Sequence, residues 1–297
     1  MVTTSGTVFD SLGAPVSGVQ LSVFMVAGQE ARSEEDGKYS ISWRTRIAGG
    51  PVVGGAAAPA FQYLLVGRDL ERHLAAAVEI DEKETNVDLH LQTPLTLSGT
   101  VRDPGGGPVT NADIWLYIGR RGLVFIPQQN TPVDAQGAFS ISNLPPGQPY
   151  SFRVIANGYG NTLQRVAAAD TQTTSLQLPP ITLPVANQQL GGWVVDAKDR
   201  PVQGAQVNLS GTNQPDDIAL TDFKGHFFFK QVCEGPVSLF AYYNMDGSVG
   251  SEVPKANVQA QGGDTNILVK IVLTNGIPAA APPLNGQAPA NRPPPAP

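Results

Sequence analysis

The chain of 297 residues has little of what several classes of protein need. Charged residues make up 15% of it, the net charge is −6, and Cys233 is the one cysteine. A single cysteine excludes an intrachain disulfide and a zinc site built from several cysteines, and we interpret Cys233 as a small core residue. An acidic chain without a basic stripe argues against nucleic acid and against an anionic membrane surface as partners.

Long apolar runs are missing as well. No stretch approaches the roughly 18 apolar residues of a membrane-spanning helix, so we expect no membrane insertion by this segment. The start, MVTTSGTVFD, has neither the basic n-region nor the apolar h-region of a signal peptide. The chain is therefore either cytoplasmic or a fragment. The abrupt entry into a repeat favours a fragment of a larger periplasmic or cell-surface protein, in which Met1 is not the native start.

Motifs of catalysis and metal binding are also absent. The histidines do not fall at HxxxH or HExxH spacing, and no G-x-S-x-G elbow, P-loop or dinucleotide fingerprint occurs. The acidic groups at 34–36 and 81–84 lack the alternating spacing of a calcium loop, so solvated loops explain them better. We therefore expect no enzyme activity, no cofactor and no metal. The sequence leaves the oligomeric state open.

Glycine and proline are abundant, with 32 and 26 residues, roughly a fifth of the chain. This composition is typical of many short strands joined by tight turns. The segments SGTVFDSLGAPVSGVQLSV, SGTVRDPGGGPVTNADIWL and GGWVVDAKDRPVQGAQVNL share one frame, and successive copies are 93 residues apart. A period of about 90 residues is too long for one unit of a solenoid and matches a self-sufficient β-sandwich.

Each copy carries two turn signatures. An aspartate that ends a strand sets a turn through its side chain, and a proline five residues later opens the next strand without a backbone donor. Further along, a glycine between an acidic and an aromatic residue supplies the positive φ of a hairpin turn. We assign these structural roles to Asp10, Pro15 and Gly37, to Asp103, Pro108 and Gly137, and to Asp196, Pro201 and Gly225.

Alternation of apolar and polar residues follows each proline. In the second copy Ala112, Ile114 and Leu116 alternate with Asp113 and Trp115, a period of two that buries one face of a strand. About seven such strands fit into each copy, and no amphipathic helix is evident. We predict an all-β chain of three tandem seven-stranded Greek-key sandwiches, at 1–93, 94–186 and 187–275.

The composition changes at Gly276. The segment 276–297 holds eight prolines in 22 residues and cannot bury a core. We expect it to be an extended, disordered linker or tail. A linker also implies a further domain beyond it.

The three frames resemble the carboxypeptidase regulatory-like domain, a transthyretin-like (prealbumin-type) β-sandwich. The residues that carry the resemblance are Ser98–Asp103 with Pro108, Gly192–Asp196 with Pro201 and Gly204–Val207, and Thr221–Phe229. The first copy is interrupted in its second half by RIAGGPVVGGAAAPA. Longer stretches look similar to tandem arrays in large bacterial envelope proteins. The resemblance implies a module without an active site that accompanies peptidases, receptors or surface proteins. It also implies a fold similar to that of some starch-binding modules.

Outward aromatic side chains are the best indication of a binding surface. The alternation that buries Ile114 and Leu116 turns Trp115 and Tyr117 outward, and Phe228 has a similar position. Such side chains stack on sugar rings or anchor a protein partner. The alternative is that these side chains pack in a contact between repeats, and we favour that interpretation.

These observations favour a non-catalytic array that acts as a structural spacer and protein-interaction module in a bacterial envelope or extracellular protein. Its partners would be other protein domains or surface polymers, polysaccharide among them. Two alternatives stay open. One is a carbohydrate-binding module that uses the outward aromatics, and the other is an accessory region of a membrane metallopeptidase or redoxin.

Overall fold

The computed structural model describes residues 1–24, 30–44, 63–119, 124–243 and 254–272. Within these ranges every regular element is a β-strand, so the prediction of an all-β fold is confirmed. The strands form pairs of sheets that follow one another along the chain. The predicted tail at 276–297 lies outside the described residues, as does the interruption in the first copy.

The first repeat contains seven described strands. They are β1 (Val2–Phe9), β2 (Gln20–Phe24), β3 (Glu30–Arg32), β4 (Lys38–Trp43), β5 (Tyr63–Asp69), β6 (Leu74–Ile80) and β7 (Leu89–His90). One sheet has the order β4-β1-β7 and the other the order β3-β2-β5-β6. Strands β1 and β7 are parallel, and the other pairs are antiparallel.

The second repeat has the same arrangement with one more short strand. Its strands are β8 (Leu95–Arg102), β9 (Ala112–Ile118), β10 (Val124–Pro132), β11 (Ala138–Leu144), β12 (Tyr150–Ala156), β13 (Thr162–Val166), β14 (Ser175–Gln177) and β15 (Ile181–Thr182). The sheet orders are β11-β8-β14, with β15 also pairing with β8, and β10-β9-β12-β13. The predicted seven strands thus become eight, because the last segment pairs with β8 in two places.

The third repeat again has seven described strands. They are β16 (Gln188–Val195), β17 (Gln206–Ser210), β18 (Asp217–Leu220), β19 (His226–Val232), β20 (Pro236–Tyr242), β21 (Lys255–Gln261) and β22 (Ile267–Lys270). The orders are β19-β16-β22 and β18-β17-β20-β21. We call the sheet built on β1, β8 or β16 the A sheet, and the sheet built on β2, β9 or β17 the B sheet.

Alternation along each strand decides which side chains fill the core. In β9, Ala112, Ile114, Leu116 and Ile118 are buried and the residues between them are at least partly exposed. Each repeat has a hydrophobic cluster of its own, and large members of the three are Trp43, Phe152 and Phe229 respectively. Burying such faces between two sheets is the main stabilising term for a fold of this kind.

The first two repeats also share packing. Leu64 and Val66 point out of the B sheet of the first repeat and belong to the core cluster of the second. The Gln148 side chain donates a hydrogen bond to the carbonyl oxygen of Ala77, at 3.2 Å. The chain accordingly divides into two compact units, Met1–Val185 and Ala186–Pro297. Within the first unit, the second repeat covers the outer face of the B sheet of the first.

A partly buried arginine follows Leu64 and Val66 on the same face of β5. Arg68 of β5 has its Nε and Nη2 atoms buried without a hydrogen-bond partner among the described residues. Burial lowers the pKa of the Arg68 guanidinium, because removal from water disfavours its charged form. The next residue, Asp69, is buried too, but the Arg72 guanidinium bonds its carboxylate at 2.6 Å. The buried Nε and Nη2 atoms of Arg68 thus lack the hydrogen bonds that water would provide.

We predict that Arg68→Met raises the free energy of unfolding of the first unit, on the order of 1 kcal/mol, because it removes a buried charged donor that lacks a partner. Urea denaturation of the full chain measures the change. Arg72→Met is the matched control and should lower the free energy of unfolding, because it takes away the partner of buried Asp69. A loss of stability in Arg68→Met would contradict the prediction.

Candidate interaction surfaces and the recurring turns

The aspartate of each frame stands directly after the first strand of its A sheet, and its carboxylate holds the turn that follows. Asp10 Oδ1 accepts hydrogen bonds from the backbone N–H groups of Leu12 and Ala14, each at 2.9 Å. Asp196 Oδ1 accepts both corresponding bonds, at 2.8 and 3.0 Å, and Asp103 Oδ1 accepts the second of them, from the Gly107 N–H at 2.8 Å. These carboxylates are therefore engaged in local backbone structure.

In the third repeat an arginine reinforces this turn. The guanidinium of Arg200 contacts Asp196 Oδ2 through Nε at 2.8 Å and Nη2 at 2.7 Å. The backbone N–H of Arg200, and then its side chain, lower the pKa of Asp196 to about 2. A carboxyl group this acidic is charged throughout the physiological range and is poorly suited to act as a general acid or base.

The second signature places a glycine in the left-handed region of φ. The φ angles are 77° at Gly37, 71° at Gly137 and 76° at Gly225. The carbonyl oxygen of Gly37 accepts a hydrogen bond from the Val8 N–H at 2.9 Å, which ties the turn to β1. The same bond recurs in the second and third repeats, at 2.7 and 2.8 Å.

The proline of the first turn and the glycine of the second meet in each repeat. A Cβ atom added to Gly37 would lie 2.8 Å from Pro15 Cβ and 2.9 Å from the Val8 carbonyl oxygen. At Gly225 the nearest atoms would be the Val194 carbonyl oxygen at 2.6 Å and Pro201 Cβ at 3.2 Å. Any side chain at these glycines would push the two turns apart.

In the second repeat the carbonyl oxygen is closer to the glycine and the proline is further away. A Cβ atom on Gly137 would lie 2.5 Å from the Val101 carbonyl oxygen and 3.4 Å from Pro108 Cβ. The recurring aspartates, prolines and glycines thus form two interlocked turns in each repeat. The proline ring atoms and the valine carbonyl oxygens face the glycines, and the carboxylates bond the backbone of their own turns, so this arrangement stabilises the fold.

Within the described ranges, no group of three or more His, Cys, Asp or Glu side chains could hold a metal ion. None of the elements described is a helix long and apolar enough to cross a membrane. Cys233 is buried, and the buried Gln214 side chain bonds both its backbone N–H, at 2.9 Å, and its carbonyl oxygen, at 3.1 Å. A buried Cys233 agrees with its interpretation as a core residue.

Trp115 and Tyr117 point out of the B sheet of the second repeat, as the alternation predicts, and both are partly exposed. Trp115 is in register with Arg153 of β12, and Tyr117 with Ser151. Phe228 is on a different kind of surface, since it projects from the A sheet of the third repeat. Trp115 and Tyr117 therefore belong to the first compact unit and Phe228 to the second.

The surface around Phe228 is more extensive than the sequence indicated. Phe228 is 48% exposed and pairs with Gly191, and beside them Trp193 pairs with His226 and Leu268. The rings of Trp193 and His226 meet edge to face with centroids 5.2 Å apart. Leu268 is 59% exposed. We call Trp193, His226, Phe228 and Leu268 the aromatic face.

The other two repeats have polar residues on the corresponding surface. The 93-residue period places Thr100 and Thr7 at the position of Trp193. The residues that pair like Phe228 are Ser140 and Ser40, which lie opposite Ser98 and Ser5. Sequence reasoning did not identify Trp193 and Leu268, although comparison of the three frames shows that tryptophan replaces threonine in the third.

One known family matches a part of the chain, within the second repeat. Residues 96–179 match the family model of the carboxypeptidase regulatory-like domain. The second repeat is thus similar to this family over nearly its whole length. The resemblance expected from the turn residues is thus confirmed, and the first and third repeats have the same strand order as this domain.

Solved structures resemble the chain loosely. The Bacillus anthracis TIE protein is 14% identical with a TM-score of 0.29; the alignment covers 91% of this chain and 49% of that one, so the chain spans about half its length. A streptococcal ancillary pilin is 11% identical with a TM-score of 0.32, over 92% and 100% of the two chains. A minor pilin of Streptococcus agalactiae is 15% identical with a TM-score of 0.30, over 59% and 94%. These scores are too low to support a functional conclusion, and no curated protein matches the chain.

We predict that Gly137→Ala lowers the free energy of unfolding of the first unit by about 3 kcal/mol or more, because left-handed strain adds to a collision with the Val101 carbonyl. Gly106→Ala is the matched control. Its φ is 84°, but nothing lies within 4 Å of the added Cβ, so a cost of about 1 kcal/mol is expected. Chemical denaturation measures both variants, and equal costs would show that the two turns do not interlock.

Proposed function

We propose that the chain is a non-catalytic array of three β-sandwiches that acts as a structural spacer and protein-interaction module in a bacterial envelope or extracellular protein. The observation that carries the proposal is the role of the recurring residues. Asp10, Asp103 and Asp196 hold turns with the carboxylates that a catalytic site would need. The carboxypeptidase regulatory-like domain is itself a non-catalytic module, which supports the same conclusion.

The spacer role is supported by the packing of the first two repeats. Leu64 and Val66 are 4% and 2% exposed although they point out of their own sandwich. Because an apolar contact of this kind resists bending between neighbouring domains, the first unit behaves as one element rather than as two domains on a flexible linker. A spacer needs this stiffness, and an enzyme would more often place its substrate cleft at such a junction.

The interaction role is best served by the aromatic face. The exposed side chains of Phe228 and Leu268 and the partly exposed Trp193, on one face of a sheet, provide apolar area that a protein partner can bury. Trp193, Phe228 and Leu268 are the members with the largest apolar surface. The same face also suits stacking on sugar rings, so a carbohydrate-binding module is the alternative function that this observation favours.

Phe228→Ser tests the interaction role, because serine is the residue that the first two repeats have at this position. We expect the variant to weaken binding of the full chain to its envelope partner at least about tenfold, the loss typical of an aromatic anchor. Affinity capture from envelope extracts, followed by titration with the captured protein, measures the change. Leu12→Ser, at a side chain that is 92% exposed in a turn of the first repeat, is the control.

Each outcome of this experiment has a defined meaning. A partner bound equally by Phe228→Ser and by the unaltered chain would contradict the assignment of the aromatic face. Retention on an insoluble polysaccharide that Phe228→Ser abolishes would support the carbohydrate-binding alternative. Turnover of a peptide or ester substrate by the purified chain would contradict the non-catalytic role.

A further inference from the structure

The outer face of the B sheet in the third repeat carries two apolar ridges. Ile218 and Leu220 on the edge strand β18 are 57% and 68% exposed. Phe240 and Tyr242 on β20 are partly exposed, and their ring centroids are 5.7 Å apart. Strand β17 separates the two ridges. Since neighbouring strands are about 4.8 Å apart, the ridges are separated by about 9.6 Å, which leaves room for one extended chain.

Two amide side chains form the floor between the ridges. Asn208 lies in register between Ile218 and Phe240, and Gln206 lies between the next pair of apolar residues. Gln206 Nε2 donates to Asn208 Oδ1 at 2.9 Å, and Asn208 Nδ2 donates to the carbonyl oxygen of Phe240 at 3.3 Å. Because each amide nitrogen carries two hydrogens, each retains a donor for a further acceptor. We call Gln206, Asn208, Ile218, Leu220, Phe240 and Tyr242 the amide groove.

In the first repeat, the apolar outer face of the B sheet is covered by another part of the chain. Val66 occupies the position that corresponds to Phe240, because Ser22 and Asn208 are 186 residues apart and pair with them. Val66 is 2% exposed because the second repeat covers it. In the third repeat the same position is apolar, while Ile218 and Leu220 beside it stay more than half exposed.

The last described residues before the proline-rich segment lie at the edge of this sheet. Val272 forms an isolated bridge with Lys255 of β21, with hydrogen bonds of 3.0 and 3.3 Å. Lys255 is in register with Tyr242. The last described residue, Val272, is therefore aligned across the sheet with Tyr242, which forms part of one wall of the amide groove. The segment 276–297, with its eight prolines, follows a few residues later. At about 3.1 Å per residue in polyproline II form, it is long enough to cross the sheet.

The chemistry of this segment fits the amide groove. A polyproline II chain has no internal hydrogen bonds, so its carbonyl oxygens can accept from Gln206 and Asn208 while proline rings pack on Phe240 and Tyr242. Arg292 is the one charged residue of 276–297, so little charge has to leave water. Tethering raises the local concentration of the segment to the millimolar range, and even weak affinity then suffices.

We propose that the amide groove binds the proline-rich segment 276–297 of the same chain. The bound segment keeps the extended form that its composition predicts, but it is held on the sheet rather than disordered. It covers Leu220 and Tyr242, as the second repeat covers the corresponding face of the first. This interaction is separate from the proposed partner binding, since the aromatic face lies on the A sheet.

Photo-crosslinking in the full chain tests this proposal. Leu220→p-benzoylphenylalanine places a reactive group on an exposed wall of the groove. Irradiation is expected to give a crosslink to residues 276–297 of the same chain, mapped by mass spectrometry, with a yield that does not change on tenfold dilution. Leu12→p-benzoylphenylalanine is the control and should give no crosslink to the segment.

A second variant separates binding from chance contact. Adding Tyr242→Ser to the crosslinking chain removes one aromatic wall and should lower the yield at least about threefold, while circular dichroism shows an intact β-fold. An unchanged yield in this variant would overturn the proposal, as would the absence of a crosslink to 276–297. Crosslinks between copies that disappear on dilution would also overturn it and would indicate a second copy as the occupant.

Discussion

The close approach of a glycine to a proline, across two turns that are far apart in sequence, is the constraint on which each sandwich depends. At Gly37 the space left for a side chain is smaller than a methyl group, because Pro15 and the Val8 carbonyl are already there. The glycine turn follows the strands β2 and β3 of one sheet and leads into β4 of the other. Joining it to the aspartate turn therefore fixes how the A and B sheets face each other.

This constraint also gives a structural role to residue types that often indicate a ligand site. An aspartate, a glycine-rich loop and a proline would attract attention as a ligand site, yet the carboxylate of Asp196 is bound to backbone N–H groups and to Arg200. The outer surfaces of the sheets carry the aromatic face and other exposed apolar side chains. In the first repeat the outer B sheet face is used for packing against the second, and in the third repeat both sheets have apolar outer faces.

The sequence predicted the strands and turns well because these depend on local rules. A period of two in β9, and a glycine beside an aromatic residue at Gly137, can be recognised without knowledge of neighbours. It predicted surfaces poorly, because periodicity says only that a side chain points outward. Leu64 and Leu268 both point outward, yet Leu64 is covered and Leu268 is exposed. The difference depends on packing between segments that are far apart in the chain.

Hydrogen–deuterium exchange of three single variants, Gly37→Ala, Gly137→Ala and Gly225→Ala, tests most directly whether each repeat is locked by its own pair of turns. If it is, each substitution should reduce amide protection mainly in the two sheets of its own repeat, so that Gly225→Ala affects β16 to β22 and leaves β1 to β7 protected. Equal loss of protection across all three repeats in every variant, or no loss in any, would contradict the account.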